Sequence, residues 1–214
     1  MKIRLGYVAI SNALGKKVTS SSNVTYKTYS KLNSQEKRLQ KLKSITSSNF
    51  DGLEKIIRYN IENDIHFYRI TSALIPLTTH PEVPDWGYRK IFKRDFEYIG
   101  KLIRESNMRV DTHPDQFNVI NSANEEVVQN TIRNLLKQEE WFEDMQYPEG
   151  KMVIHVGGAT GGKENALDRF INNFTRFPES IQNRLIIEND DKIYTARETL
   201  DLCNELKIPM VVDI

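Results

Sequence analysis

Five residues of metal-binding type follow short apolar runs: His80, His113, His155, Glu188 and Asp213. They stand 33, 42, 33 and 25 residues apart, and these histidines are three of only four in the chain. A carboxylate directly after an apolar run is expensive to bury unless a cation accompanies it. Mixed imidazole and carboxylate sets suit zinc, manganese or iron. Two or three such ions about 3.5–4 Å apart would activate water and stabilise a phosphoryl leaving oxygen. Taken singly, each residue has a structural alternative: a hydrogen-bonded histidine, or an acid capping the next helix. Three run ends carrying the same residue type favour the metal.

The local sequence says how each residue is presented. Pro114 closes the run Val110-Asp111-Thr112-His113, because proline cannot donate to a sheet ladder, so His113 stands at a strand tip. His155 follows Met152-Val153-Ile154 and is soon followed by two glycines, while His80 lies in Thr78-Thr79-His80-Pro81. Glu188 follows Leu185-Ile186-Ile187, and Asp213 follows Met210-Val211-Val212. His66 opens a run instead and reads as structural. The loop from Gly157 to Glu164 nearly matches the phosphate-binding pattern GxxxxGK[ST], but Glu164 stands where a magnesium-binding hydroxyl is needed. Its glycines allow tight backbone beside a ligand, with N–H groups available to a phosphate.

Positioning these residues requires strands that end together. Strand-like runs cover Ile3–Val8, His66–Ile70, Met108–Thr112, Met152–His155, Leu185–Glu188 and Met210–Asp213. Between them, Phe50–Asn63, Asp95–Ser106, Glu125–Phe142, Asn165–Phe174 and Thr195–Leu206 place apolar residues near a 3.6-residue period. Thr195 and Glu198 form the T-x-x-E capping pattern that satisfies free helix N–H groups. Cys203 falls on the last of these helices and reads as core. Strands alternating with single helices predict parallel βαβ units. The intervals approximate the repeat of roughly 31 residues in a (β/α)8 barrel, whose active face gathers strand C-termini. The alternative is an open doubly wound sheet, which collects ligands at one switch point from a few strand ends. A ligand-type residue after strand two and at the ends of strands three to six favours the barrel. The expectation is a single domain over residues 1–214, holding about six βα units of a TIM-type barrel and truncated on its C-terminal side.

Composition narrows the class. With 39% hydrophobic and 28% charged residues the chain reads as an ordinary globular protein. MKIRLGYVAI is too short an apolar run for a signal peptide, and no stretch approaches the ~20 apolar residues that span a membrane. One cysteine excludes an internal disulfide framework and suits a reducing cytoplasm, so the sequons at Asn23 and Asn173 read as chance matches. Net charge is +1, yet eight bases stand between Gly15 and Phe50 (Lys16, Lys17, Lys27, Lys31, Lys37, Arg38, Lys41, Lys43) against one acid, Glu36. That segment is either a solvated helix face with a soluble loop or a phosphate-contacting arm.

Together these residues resemble the UV damage endonuclease family of DNA repair enzymes. The likeness runs through Arg4-Leu5-Gly6-Tyr7 with Asn12, Arg69-Ile70 with Leu74-Ile75-Pro76 and His80-Pro81, and His113-Pro114 with Gln116. It continues in His155-Val156-Gly157-Gly158 with Lys163, Glu188-Asn189-Asp190 and Val211-Val212-Asp213. The resemblance implies a TIM barrel holding up to three divalent metal ions, often manganese, that incises damaged double-stranded DNA 5′ to pyrimidine dimers and other lesions. It implies a monomer with His80, His113, His155, Glu188 and Asp213 as metal ligands, of which His155, Glu188 and Asp213 carry the catalysis. Tyr7, Asn12 and Lys163 fall among DNA contacts, and Gln116 and Phe117 fall where a Gln-Tyr pair probes the lesion. Phe117 keeps the stacking face of that tyrosine and lacks its hydroxyl. The family continues past the Asp213 strand with further metal ligands, so this form is expected to be inactive or poorly active. A metal-dependent sugar isomerase on the same barrel and a non-catalytic damage-binding fragment are the competing expectations.

Overall fold

The computed structural model describes residues 4–15, 17–190 and 192–213. Six strands alternate with helices: β1 Gly6–Val8, α1 Tyr26–Ser30, α2 Gln35–Glu62, β2 Phe67–Thr71, α3 Tyr88–Ile91, α4 Lys93–Glu105 and β3 Arg109–His113. Then follow α5 Glu125–Asp144, β4 Lys151–His155, α6 Lys163–Phe174, α7 Glu179–Gln182, β5 Leu185–Glu188, α8 Ala196–Leu206 and β6 Met210–Val211. The chain forms two compact units, one of Met1–Asp111 with Glu140–Gly150, the other of Thr112–Glu139 with Lys151–Ile214. Strand β3 passes from the first into the second.

In the first unit the strand order is β1-β2-β3. Strands β1 and β2 run parallel with Tyr7 opposite Tyr68, and Arg109 N–H donates to the His66 carbonyl at 2.9 Å. Helix α2 packs on α4, with the Phe50 ring against Phe96 (4.9 Å) and Phe92 (5.5 Å). Leu53, Ile56, Ile57, Ile99 and Ile103 complete that buried layer. Helix α2 begins at Gln35, well before the Phe50 start that periodicity predicts. Ser34 caps it by accepting the Lys37 N–H, and Leu42 and Ile45 bury against Val24, Tyr29 and Val83 in a satellite core. At Gly52 the loop carbonyl of Thr19 lies where a Cβ would stand (2.0 Å), so only glycine admits the close approach.

In the second unit the order is β3-β4-β5-β6. Strands β4 and β5 are parallel, with Met152 opposite Leu185 and His155 opposite Glu188; Glu188 in turn faces Val211 of β6. Strand β5 is buried along its whole length, as the run Leu185-Ile186-Ile187 predicts for a strand covered on both faces. Phe170, Phe174, Ile181 and Leu202 from α6, α7 and α8 fill the core beside it. Cys203 is buried on α8, where burial pushes its thiol up to about 11.

Among the described residues neither unit reverses its strand order, so neither shows the switch point of a doubly wound sheet, and the topology is that of six successive strands of a TIM-type barrel. The terminal strands are shorter than expected. Ile3 lies outside the described residues, and Leu5 contributes a carbonyl to His66 N–H without belonging to a strand. Beyond Val211 the Asp213 backbone pairs with the Asn189 side chain instead of a strand neighbour.

Candidate metal centre

The site grows from the ends of β3, β4 and β5. Register alone sets His155 beside Glu188, and β3 delivers His113 on the other side of β4. The result is a three-residue donor set, His113, His155 and Glu188, with one ligand atom from each lying within 4.8 Å of the others. Glu188 Oε2 is 3.4 Å from His113 Nε2 and 4.0 Å from His155 Nε2, and the imidazole centroids are 5.2 Å apart. Glu188 is buried and both histidines are half-buried.

Hydrogen bonds at the far side of each ring decide what faces inward. His113 Nδ1 lies 2.9 Å from the Pro114 carbonyl, and His155 Nδ1 lies 3.3 Å from the Glu188 carbonyl. A carbonyl oxygen only accepts, so each Nδ1 donates to its carbonyl and each ring turns its Nε2 toward Glu188. Two Nε2 atoms and a carboxylate oxygen converge at these distances, which brings three metal-ligand atom types to one point. Carbonyl-anchored imidazoles are also how protein metal sites orient their histidines. The donor set therefore fits a divalent cation.

A pocket of about 250 Å³ opens beside the triad, lined by His113, His155, Gln116, Val119, Gly157 and Asp190 among others. Burial raises the Asp190 carboxyl, but N–H groups of Ile193, Lys192 and Tyr194 and the nearby His155 outweigh it, and the acid stays below its usual range. Gly157 holds φ +102°, and a Cβ there would come within 2.6 Å of Asn121 Oδ1. The Asn121 amide donates to the Gly158 carbonyl at 2.6 Å, pinning the glycine loop against the pocket.

Asp115 folds the next loop by accepting the Phe117 N–H at 2.9 Å, which leaves Gln116 at the pocket and the Phe117 ring 72% exposed. Asp213 is exposed, and Asn189 grips its backbone from both sides at 3.0 Å; its carboxylate stands outside the close triad. Lys163 opens α6, pairs with Glu198 at 2.8 Å and passes over the Tyr194 ring.

The other expected site residues belong to the first unit. His80 stacks face to face on Tyr26 (4.2 Å, 14°), and its Nδ1 accepts the Glu82 N–H at 3.2 Å. His80 Nδ1 is thus an acceptor, the opposite role from the Nδ1 atoms of His113 and His155. Tyr7 donates to Asn60 Oδ1 at 2.7 Å, and Asn12 lies exposed in a turn. Sequence reading gave no role to the pair of half-buried Arg69 with buried Asp111 (3.0 Å), to Asn121 or to Asp190's N–H cradle. A charged residue inside an apolar run on both β2 and β3 is the signal that marks the first of these.

Residues 3–214 match the family described as UV-endonuclease UvdE. A UV DNA damage endonuclease of Bacillus mycoides (strain KBAB4) is 39% identical over 214 residues, which cover 100% of this chain and 67% of the relative. One of Bacillus cereus (strain Q1) is 38% identical with the same coverage. The crystal structure of SacUVDE superposes with a TM-score of 0.88 at 34% identity, covering 99% of this chain and 69% of that one.

Proposed function

The chain belongs to the UV-endonuclease UvdE family, and from that premise we propose that it is a metal-dependent DNA repair endonuclease acting on damaged double-stranded DNA. The bond hydrolysed is the phosphodiester 5′ to UV photoproducts and other lesions, and the protein works as a monomer in the cytoplasm. The observation that carries this reading is the converging triad His113, His155 and Glu188, with both imidazoles anchored through Nδ1. Among the described residues no helix is long and apolar enough to cross a membrane.

In this reading His113, His155 and Glu188 hold a divalent cation, manganese in preference. Asp213 and His80 are further ligands, His80 after exchange of its Nδ1 partner. Bound there, such a cation would supply activation of water and electrostatic stabilisation of the phosphoryl and leaving 3′ oxygens. The chain's own residues supply orientation. Pro114 and the Glu188 carbonyl fix the two ring planes, Glu188 carries the charge that balances the cation, and the pocket beside them receives the distorted strand. Gln116 and Phe117 are the lesion probe: unstacking costs least at a damaged step, and an exposed ring offers the replacement stack. Tyr7, Asn12 and Lys163 contact the damaged strand, Lys163 by exchanging Glu198 for a phosphate.

The test is incision of UV-irradiated duplex by this chain with manganese, beside the Bacillus mycoides relative of which the chain spans about two thirds. Strand cuts 5′ to photoproducts, abolished by EDTA and by Glu188→Gln, are expected, with less activity than the relative shows. Damage-selective binding with no incision under any divalent cation would sink the endonuclease reading in favour of a binding module.

A further inference from the structure

The basic segment between Gly15 and Phe50 is not a loose arm. Arg38 donates through Nε to the Leu32 carbonyl and through Nη2 to the Ser30 carbonyl, both at 2.9 Å, and lies over the Tyr29 ring. These contacts clamp the end of α1 onto α2, and the satellite core of Val24, Tyr29, Leu42, Ile45 and Val83 fixes both helices from beneath. Arg38 is thereby spent on structure, whereas the lysines are not. Lys27, Lys31, Lys37 and Lys41 are exposed. Among the described residues none of the four forms an ion pair, while Lys93, Lys101 and Lys163 each meet a glutamate. Lys16 lies outside the described residues.

The charge is also segregated. The whole chain carries 30 bases and 29 acids; removing the eight bases and one acid of this segment leaves 22 against 28. Everything else is net acidic, so positive potential is concentrated here. Lys37 and Lys41 repel at i,i+4, an arrangement that weakens an isolated helix and gains something only from an anion. Four helical residues rise ~6 Å, against ~3.4 Å of duplex axis per phosphate on one strand, so the two lysines span about two phosphates. Exposed hydroxyls (Ser44, Ser47, Ser48) continue the same outer face, and no large apolar side chain of the segment is exposed. A face without apolar anchors suits a phosphate backbone and lacks what an interfacial membrane helix needs. Tyr26 of α1 stacks on His80, which ties the segment to a candidate metal ligand.

We propose that the outer face of α1 and α2, through Lys27, Lys31, Lys37 and Lys41, is a rigid docking surface for the backbone of duplex DNA, engaged irrespective of damage. It rests on the DNA-directed reading only for its choice of polyanion.

The experiment is affinity for a labelled undamaged duplex, followed by anisotropy between ~50 and ~200 mM salt. Each backbone contact contributes about 0.9 to the slope of log K against log salt. Replacing the four lysines by alanine is expected to lower that slope by about 3–4 and affinity at ~100 mM salt by at least tenfold. A four-arginine version should restore both, and Lys93→Ala with Lys101→Ala should leave both alone. If the alanine set fails to fold, four glutamines replace it, with the same expectation. A slope within about 1 of the parent overturns the proposal, as does an unchanged DNA slope with lysine-dependent binding to phosphatidylserine vesicles. Failure of the endonuclease reading looks different: the unsubstituted chain keeps its salt-sensitive DNA affinity and cuts nothing.

Discussion

Three residues at or beside the proposed site each have a distinct expected phenotype. Glu188→Gln keeps the shape of the residue but removes the charge facing two Nε2 atoms; manganese affinity by calorimetry should fall at least tenfold and incision should follow it. Phe117→Ala removes a ring that touches mainly solvent, so the melting temperature should barely move, within about 0.5 kcal/mol of stability. Its loss should instead appear in damage preference, since one base stack is worth ~1–3 kcal/mol. A competition between irradiated and intact duplex reads this directly, and unchanged selectivity would remove Phe117 from the probe. Gly157→Ala meets both a positive φ and the Asn121 side chain, and should destabilise the protein by about 1–3 kcal/mol in urea titration. His113, His155 and Glu188 were legible in the sequence because a strand tip followed by proline or a loop fixes where a side chain stands. Lys163 was not legible: the pattern placed it in the glycine loop with a helix from Asn165, whereas it opens α6, and its partner Glu198 lies 35 residues on, a pairing no local pattern encodes.

Elements were legible where local chemistry and long-range packing agree. The α8 start follows from the capping box alone: Glu198 accepts the Thr195 N–H at 2.8 Å, and Glu198 N–H donates to Thr195 Oγ1 at 3.3 Å. Helix α2 shows the opposite case. Its first half has few apolar positions, and Leu42 and Ile45 acquire a reason to be helical only when Val24, Tyr29 and Val83 arrive from elsewhere. The α8 cap also carries a pH signature. Lys163, then the Thr195 N–H and hydroxyl, pull the Glu198 carboxyl from 4.5 down to about 2. A depressed carboxylate stabilises the fold above its ordinary range, and that contribution disappears as pH falls through the folded value. The melting-temperature gap between the parent and Glu198→Gln should therefore be constant above pH ~5 and close towards pH 2. A gap that persists at pH 2 would assign the effect to packing.

At the scale of the whole molecule, six strands in sequence order were legible, most plainly β4 and β5, whose buried residues read as unbroken apolar runs. The division into two compact units was not, since it cuts through β3 and α5 and leaves no composition shift behind. A cation bound by the folded state and not by the unfolded chain raises stability by RT ln(1 + [L]/Kd), ~2.7 kcal/mol at a hundredfold excess over Kd. For a chain of this size that is a rise of roughly 5–10 °C. Manganese should produce it in the parent protein and fail to do so in His113→Ala/His155→Ala; equal shifts in both would place the binding elsewhere. The lone thiol of Cys203, sealed in α8 and pushed up to about 11, has a practical corollary. At neutral pH it is chemically silent, so a cysteine introduced at Ser44 would be the sole target for a maleimide dye. A dye there could report DNA arriving at the lysine face separately from any cut.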